Sequence, residues 1–139
     1  AMGLVGLAQR CMELMCARAQ ERVAFGEPLI KKTSVQHEIA RCRCDIEQAR
    51  LLTLQAASVM DTQGMKAAIP YISMVKIVAP NMAQQVADRA MQVFGGMGVC
   101  QDTLIPHVFA LARFSRIADG PDEVHMSQLG KLTARAFNE

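Results

Sequence analysis

The chain has 139 residues, and its fifteen Lys and Arg nearly balance thirteen Asp and Glu, leaving a formal net charge of +2. This balance produces no strong field to attract nucleic acid or an anionic membrane surface, so binding to nucleic acid is not predicted. No apolar stretch reaches the roughly 20 residues of a membrane-spanning helix, because charges such as Lys66, Lys76 and Asp88 interrupt every candidate. The length suits one domain with its own core, and we expect residues 1–139 to form it.

The cysteines, at positions 11, 16, 42, 44 and 100, are odd in number and contain no CxxC pair. This pattern favours reduced thiols in an intracellular compartment, and the cysteines are interpreted as small buried hydrophobes. The apolar start AMGL predicts that the natural amino terminus lies further upstream.

The composition favours helix nearly throughout, because Ala, Leu, Met, Gln and Arg lose little side-chain freedom in a helix. Apolar residues at helical spacing predict a first helix that ends near residue 22: Leu4, Leu7, Ala8, Cys11, Leu14 and Met15. The segment FGEP at residues 25–28 then predicts a break, since Pro28 cannot continue a helix.

A second helix is predicted to start at Thr33 or Ser34, with the hydroxyl of Ser34 as its cap. A heptad-like seam runs along it: Val35, Ile39, Cys42, Ile46, Ala49, Thr53, Ala56 and Met60. After a turn at residues 61–64, a third helix over residues 67–94 is predicted to bury Ile72, Val75, Ala79, Met82, Val86, Ala90 and Val93.

The glycines at 95, 96 and 98 are predicted to end the third helix. A short helix over residues 106–116 and a last one over residues 121–137 follow, each beginning near a proline. The resulting fold class is all-α: an up-and-down four-helix bundle with long antiparallel helices plus a short extra helix.

Composition and spacing alone reveal no metal site. The pair Asp122 and His125 stands without a third ligand, and the inward Glu-x-x-His duplication of di-iron bundles is missing. The segment GGMG at residues 95–98 follows a helix and lacks the Lys-Ser/Thr ending of a phosphate loop, so it is interpreted as a helix terminator. The acids around residues 119–123 suit a helix start, where negative charge is favourable.

Four segments together resemble the acyl-CoA dehydrogenase family, in order and at nearly the family's spacing. They are GLAQR at residues 6–10, RVAFG at 22–26, QVFGGMG at 92–98 and DG at 119–120. The likeness covers essentially the whole chain and points to the carboxyl-terminal helical domain of a larger flavoenzyme. The acid turn DGPDEV resembles the subfamily fused to an amino-terminal phosphotransferase-like domain.

The resemblance implies contacts with FAD, partly with the FAD of a neighbouring subunit, from Arg22, Phe25, Gln36, Gln92, Gly95 and Gly96. A guanidinium such as that of Arg22 binds pyrophosphate in a fork, and the ring of Phe25 offers an aromatic face. Gln92 and the glycine backbone match the segment that cradles the adenosine end of the cofactor. Without the resemblance, Arg22 is read as a surface ion-pair former and Phe25 as a core residue.

The resemblance also implies that Asp119 is the catalytic base, which removes the α proton of the acyl thioester, and that Gly120 lets the substrate approach. The family's usual base is Glu, so Asp119 is shorter by about 1 Å of reach, and displacements of that size affect rates strongly. Pro121 stands where a threonine is usual, and Glu123 places a carboxylate where a flavin-contacting amide is usual.

By resemblance, the substrate is an acyl-CoA, the enzyme is a homo-oligomer (dimer or tetramer), and electron-transfer flavoprotein is the acceptor. The same resemblance favours a mitochondrial over a peroxisomal location. The altered acid turn leaves an alternative open, in which the domain keeps the fold as a non-catalytic oligomerisation or interaction module. A third interpretation is a purely structural bundle in which the motifs are coincidental.

Overall fold

The computed structural model describes residues 1–137. Within them five helices follow in chain order: α1 Met2–Glu21, α2 Thr33–Gln63, α3 Met65–Phe94, α4 Ile105–Ser115 and α5 Asp122–Ala136. A two-stranded antiparallel hairpin, β1 Val23–Ala24 and β2 Glu27–Pro28, and a 3-10 turn at Leu29–Lys31 lie between α1 and α2. A second 3-10 segment, Gly95–Val99, follows α3. The predicted all-α bundle of long helices is confirmed.

The centre of the bundle is α3, which packs against each of the other four helices. Beside the larger Met82 and Val86, its buried face carries alanines, which let neighbouring helices approach closely: Ala79, Ala83, Ala87 and Ala90. The buried stripe of α1 meets this face through Val5, Ala8, Cys11 and Met15. On the other side Arg89 ties α3 to α2, because its Nε lies 3.2 Å from a carboxylate oxygen of Glu38 and its Nη1 binds Asp45.

The helices α1 and α3 run in the same direction. Leu4, near the start of α1, lines the same cleft as Val75 in the first half of α3. The guanidinium of Arg18, near the end of α1, lies 5.8 Å from the ring centroid of Phe94 at the end of α3. We call the side with the hairpin and Phe94 the hairpin end, and the opposite side the acid end. With 20 residues, α1 separates the two ends by about 30 Å.

The bounds of α4 and α5 lie within one residue of the predicted ones, and the larger differences concern α2 and the start of α3. The cap prediction for Ser34 is wrong: Ser34 is the second residue of α2, Lys32 is the residue before the helix, and no side chain caps it. The predicted turn at residues 61–64 shrinks to Gly64, because α2 continues through Gln63. The helix α3 therefore begins at Met65, two residues earlier than predicted.

The prediction that Ile72 is buried is also wrong, since this residue is 37 % exposed. The other six apolar residues predicted on this face of α3 are buried or partly buried. Ile72 lies near the start of α3, where the bundle opens into a cleft at the acid end. The periodic pattern identified the inward face correctly, but periodicity does not reveal where neighbouring helices leave that face uncovered.

Candidate functional site

The acid turn joins α4 to α5 and adopts a left-handed backbone at two successive residues. Asp119 has φ 55° and Gly120 has φ 94°. Asp is among the few residues with a side chain that tolerate this region, and glycine enters it freely. A Cβ on Gly120 would lie 2.9 Å from the Nε2 atom of His125, so the turn has no room for a side chain there without movement of that ring.

Lys76 fixes the segment just before the acid turn. Its Nζ donates hydrogen bonds to the carbonyl oxygens of Ser115 at 2.7 Å and Ala118 at 2.5 Å. These carbonyls lie at and beyond the carboxyl end of α4, where backbone acceptors lack partners within the helix and where positive charge is favourable. The central helix thus holds the chain immediately ahead of Asp119.

Asp122 fixes the other side of the acid turn. It is the first residue of α5 and is 6 % exposed. Its Oδ2 accepts hydrogen bonds from Nε of Arg116 at 2.8 Å and from Nδ2 of Asn81 at 3.2 Å. Burial by itself raises the pKa of Asp122, but the hydrogen bonds from Arg116 and Asn81 and the charges of Arg116 and Lys76 lower the pKa below its usual value. This carboxylate is therefore a charged structural anchor.

A cleft of about 330 Å³ opens at the acid end, and Asp119 lies on its border. Most of its lining is apolar: Ala1, Leu4, Ala56, Ile72, Val75 and Pro80. The polar contributions come from Lys76, Ser115 and Asp119. An exposed carboxylate beside an apolar cleft can accept a proton from a substrate whose apolar part occupies the cleft.

At the hairpin end, the tip of the hairpin presents an aromatic ring to solvent. Phe25 is 96 % exposed and has φ 55°, a left-handed backbone that is unusual for a bulky residue. Together with Gly26 at φ 84° it forms the two-residue tip between β1 and β2. Arg22, the residue before β1, is also exposed, and Nζ of Lys32 lies 5.9 Å from the Phe25 ring centroid. Lys32 itself is paired with Glu27 at 2.6 Å, so the exposed ring of Phe25 and the nearby guanidinium of Arg22 are the groups that suit contact with an anionic ligand that has a planar ring system.

The remaining hairpin-end candidates surround the same region. Gln36 donates from Nε2 to the Ile30 carbonyl at 2.9 Å, which ties the start of α2 to the segment after the hairpin. Gln92 lines a groove of about 430 Å³ between α3 and α2, together with Ser34 and Val35. Gly95 and Gly96 follow α3 directly, and no atom lies within 4 Å of a Cβ built on either one. Their backbone is open to close approach.

Glu123 is separate from both groups. It is exposed in the first turn of α5, where it lines a shallow surface groove with Ser127 and Lys131 instead of the cleft that Asp119 borders. The structure thus brings the predicted site residues together as two sets at opposite ends of the bundle. Arg22, Phe25, Gln36, Gln92, Gly95 and Gly96 lie at the hairpin end, and Asp119 and Gly120 lie at the acid end.

Residues 1–137 contain no cluster of three or more His, Cys, Asp or Glu side chains arranged to bind a metal ion. None of the helices described combines the length and the apolar character needed to cross a bilayer.

The sequence did not reveal the structural roles of four residues, namely the contacts that Lys76, Asp122 and His125 make in the acid turn and the close packing of Gly98. The contacts of Lys76 and of Asn81 with the acid turn join residues about 40 positions apart, so local spacing carries no signal of them. Gly98 is buried, and a Cβ on it would lie 2.6 Å from the Met91 carbonyl oxygen. Its role is therefore close packing of the 3-10 segment on α3.

Residues 1–133 match the sequence model of the family described as acyl-CoA dehydrogenase, C-terminal domain. Acyl-CoA dehydrogenase family member 11 of Rattus norvegicus is 49 % identical over 128 residues, which are 92 % of this chain and 16 % of that protein. Butyryl-CoA dehydrogenase from Megasphaera elsdenii superposes with a TM-score of 0.87 at 27 % identity, covering 94 % of this chain and 34 % of that one.

A structure described as the FAD complex of PigA superposes equally well, with a TM-score of 0.87, at 25 % identity over 94 % of this chain and 34 % of that one. The chain thus spans about a third of the length of these solved chains and about a sixth of the rat relative. The chain belongs to the acyl-CoA dehydrogenase family, in which it corresponds to the C-terminal helical domain.

Proposed function

We propose that this domain supplies the catalytic base and the inter-subunit flavin contacts of an FAD-dependent acyl-CoA dehydrogenase that introduces an α,β double bond into an acyl-CoA, as in fatty-acid β-oxidation. The observation that carries the proposal is the position of Asp119, an exposed carboxylate at the border of an apolar cleft. An acyl chain supplies the apolar occupant that such a cleft prefers, and the carboxylate supplies the base that the reaction needs.

In the proposed reaction a carboxylate oxygen of Asp119 accepts the α proton of the thioester as the Cα–Cβ double bond forms. The hairpin-end residues would hold FAD, which would supply the acceptor for the hydride that leaves the β carbon, so the substrate would lose one proton and one hydride in total. Since Asp reaches about 1 Å less far than Glu, the direction of the backbone at residue 119 matters more than it would for the longer side chain. Lys76 and Asp122 fix the chain on both sides of this residue.

The residues at the hairpin end fit the cofactor chemically. Arg22 offers a charged, exposed donor for phosphate, and the exposed ring of Phe25 offers a stacking face on a backbone conformation that would be costly to maintain without a role. The open backbone of Gly95 and Gly96 allows a ligand to approach closely.

The distance between the two ends supports a shared site. Because about 30 Å separates them, the base at the acid end and the flavin contacts at the hairpin end of one copy serve different cofactor molecules. A homo-oligomer, either a dimer or a tetramer, brings the hairpin end of one copy to the cofactor of another. Electron-transfer flavoprotein as the acceptor and a mitochondrial location complete the proposal by family resemblance alone.

The proposal is tested in the intact protein by anaerobic reduction of the bound flavin with butyryl-, octanoyl- and palmitoyl-CoA. We expect Asp119→Ala to abolish reduction while the FAD content stays unchanged, and Asp61→Ala, the loss of an exposed acid on α2, to have no effect. Undiminished reduction in Asp119→Ala would refute the assignment of the base. If the unaltered protein binds FAD and none of these substrates reduces it, the non-catalytic interaction module becomes the better explanation.

The flavin contacts have a separate test. Arg22→Ala and Phe25→Ala should each lower the FAD content of the purified intact protein, whereas Arg43→Ala, on an exposed cation of α2, should retain it. Full FAD content in both hairpin variants would remove the support for this end of the bundle and would favour a structural role for the hairpin.

A further inference from the structure

His125 lies one turn into α5, directly behind the acid turn. Its Nε2 is 3.4 Å from the carbonyl oxygen of Asp119, at the long end of the hydrogen-bond range. The same nitrogen would lie 2.9 Å from a Cβ on Gly120, so the edge of the ring occupies the space that this glycine leaves open. The imidazole therefore lies against both left-handed residues of the acid turn.

The other anchors of this segment act on its flanks. Lys76 binds the carbonyls of Ser115 and Ala118, and Arg116 binds Asp122. Among residues 1–137, His125 supplies the one side-chain hydrogen bond to the backbone of Asp119. A left-handed backbone costs some energy even at Asp, which tolerates it better than most residues, so a contact that holds this conformation contributes to keeping it. The ring of His125 is the group in position to hold it.

The surroundings of the ring favour one form of the imidazole. Nδ1 is buried and has no hydrogen-bond partner among the residues that the structure describes, whereas Nε2 faces the Asp119 carbonyl. A proton on Nε2 gives that carbonyl a donor, while a proton on Nδ1 would bury a donor without an acceptor. The tautomer protonated on Nε2 therefore satisfies the Asp119 carbonyl and leaves Nδ1 as an unpaired acceptor rather than an unpaired donor, and in this form His125 is a donor to the turn.

We propose that His125 is a positioning residue: its Nε2–H holds the Asp119 carbonyl, its ring supports Gly120, and together these contacts set the direction of the Asp119 carboxylate. This inference rests on the proposed role of Asp119 as the base and adds a determinant of its position. Because the side chain of Asp is short, a change of backbone direction moves its carboxylate out of line with the substrate α carbon by a distance on the order of 1 Å.

The test compares two amides of different reach in the intact protein. The amide nitrogen of Gln can reach the position of Nε2, whereas that of Asn reaches only the position of Nδ1. We expect His125→Asn to slow flavin reduction at saturating octanoyl-CoA by about 10-fold to 100-fold, with little change in KM and full FAD content. His125→Gln should recover most of the rate. His107→Asn, on an exposed histidine of α4, is the matched control and should match the unaltered protein.

A crystal structure of the intact His125→Asn protein gives a readout that does not depend on turnover. Loss of the left-handed conformation at Asp119, together with a slow Asn variant and an active Gln variant, supports the proposal. The positioning role of His125 is overturned if Asp119 keeps its left-handed conformation and the reduction rate is unaltered in His125→Asn. The proposed function still stands in that case, provided that Asp119→Ala is inactive in the same assay. Full activity of Asp119→Ala instead refutes the base assignment, and the positioning role with it. If His125→Asn does not fold, His125→Gln alone decides the outcome. A folded Gln variant in which flavin reduction is slowed about 10-fold to 100-fold overturns the proposal.

Discussion

Replacement of Asp122 by Asn tests the ion pair that joins the acid turn to α5. The change keeps the size of the side chain but removes the charge that pairs with Arg116, whose side chain is 32 % exposed. A hydrogen bond to a charged group contributes roughly 1.5–3 kcal/mol, and the partial exposure of Arg116 screens the interaction. We therefore expect Asp122→Asn to lower the free energy of unfolding by about 1–2 kcal/mol near neutral pH.

The contribution of Asp122 to stability should depend on pH in a defined direction. Burial acts to raise the pKa of Asp122, but its hydrogen bonds from Arg116 and Asn81, with the nearby positive charges, bring the pKa below the ordinary value of 3.8. Because the pKa is lower in the folded than in the unfolded chain, the folded state stays charged where the unfolded state takes up a proton. The stabilisation is present above about pH 4 and is lost as the pH falls through the folded pKa.

Urea unfolding of the 139-residue chain, followed by far-ultraviolet circular dichroism at about pH 7 and about pH 3, measures both effects. Glu123→Gln is the matched control, since it removes one carboxylate at the next position, which is exposed. The difference in unfolding free energy between Asp122→Asn and the unaltered chain should shrink at the lower pH. Equal effects of the two substitutions at neutral pH, or a difference that does not shrink on acidification, would refute the ion-pair argument.

Two further predictions concern packing and thiol chemistry. Gly98→Ala should lower the free energy of unfolding by about 1–3 kcal/mol, because its Cβ would lie 2.6 Å from the Met91 carbonyl oxygen. Gly96→Ala is the control and should have little effect in the same urea assay, because no atom lies within 4 Å of its Cβ. Similar unfolding curves for both variants would contradict the packing argument. Burial, together with the nearby Cys42 thiol, raises the pKa of Cys11 to about 11, so at about pH 8 iodoacetamide should modify Cys11 in the chain only after urea is added. Mass spectrometry of peptides from samples with and without urea measures the modification, and the exposed Cys44 serves as the reactive control. Equally fast modification of Cys11 and Cys44 in the absence of urea would contradict the prediction.

The helices were predictable because each long segment carries one apolar stripe at a helical period, and the glycines and prolines that interrupt the stripes are local signals. The boundaries were less predictable. The residues before Gly64 suggested a longer turn, but Gly64 alone ends α2. The helix continues through residues 61–63 because Asp, Thr and Gln are tolerated in the last turn of a helix. Ser34 has the chemistry of a cap, but the helix begins one residue before it.

The candidate site was predictable only as far as the motifs extend. The family pattern selected Asp119, Arg22 and Phe25, and their assigned roles stay predictions. The supporting contacts of Lys76 and Asp122 could not be predicted, because they arise when α3 passes behind a turn that lies some 40 residues later in the chain. The strained backbone of Phe25 likewise has no sequence signal, since a bulky residue is not expected in a left-handed conformation.

The separation of about 30 Å between the two ends of the bundle also bears on how defects would combine in a mixed population of subunits. Under the proposed sharing, a copy that lacks its carboxylate base still lends an intact hairpin to its neighbour, and a copy that lacks Arg22 still keeps its base. Two alleles that are each inactive could then restore some working sites when they are expressed together. The same arrangement would let a single faulty allele impair sites that contain one normal copy.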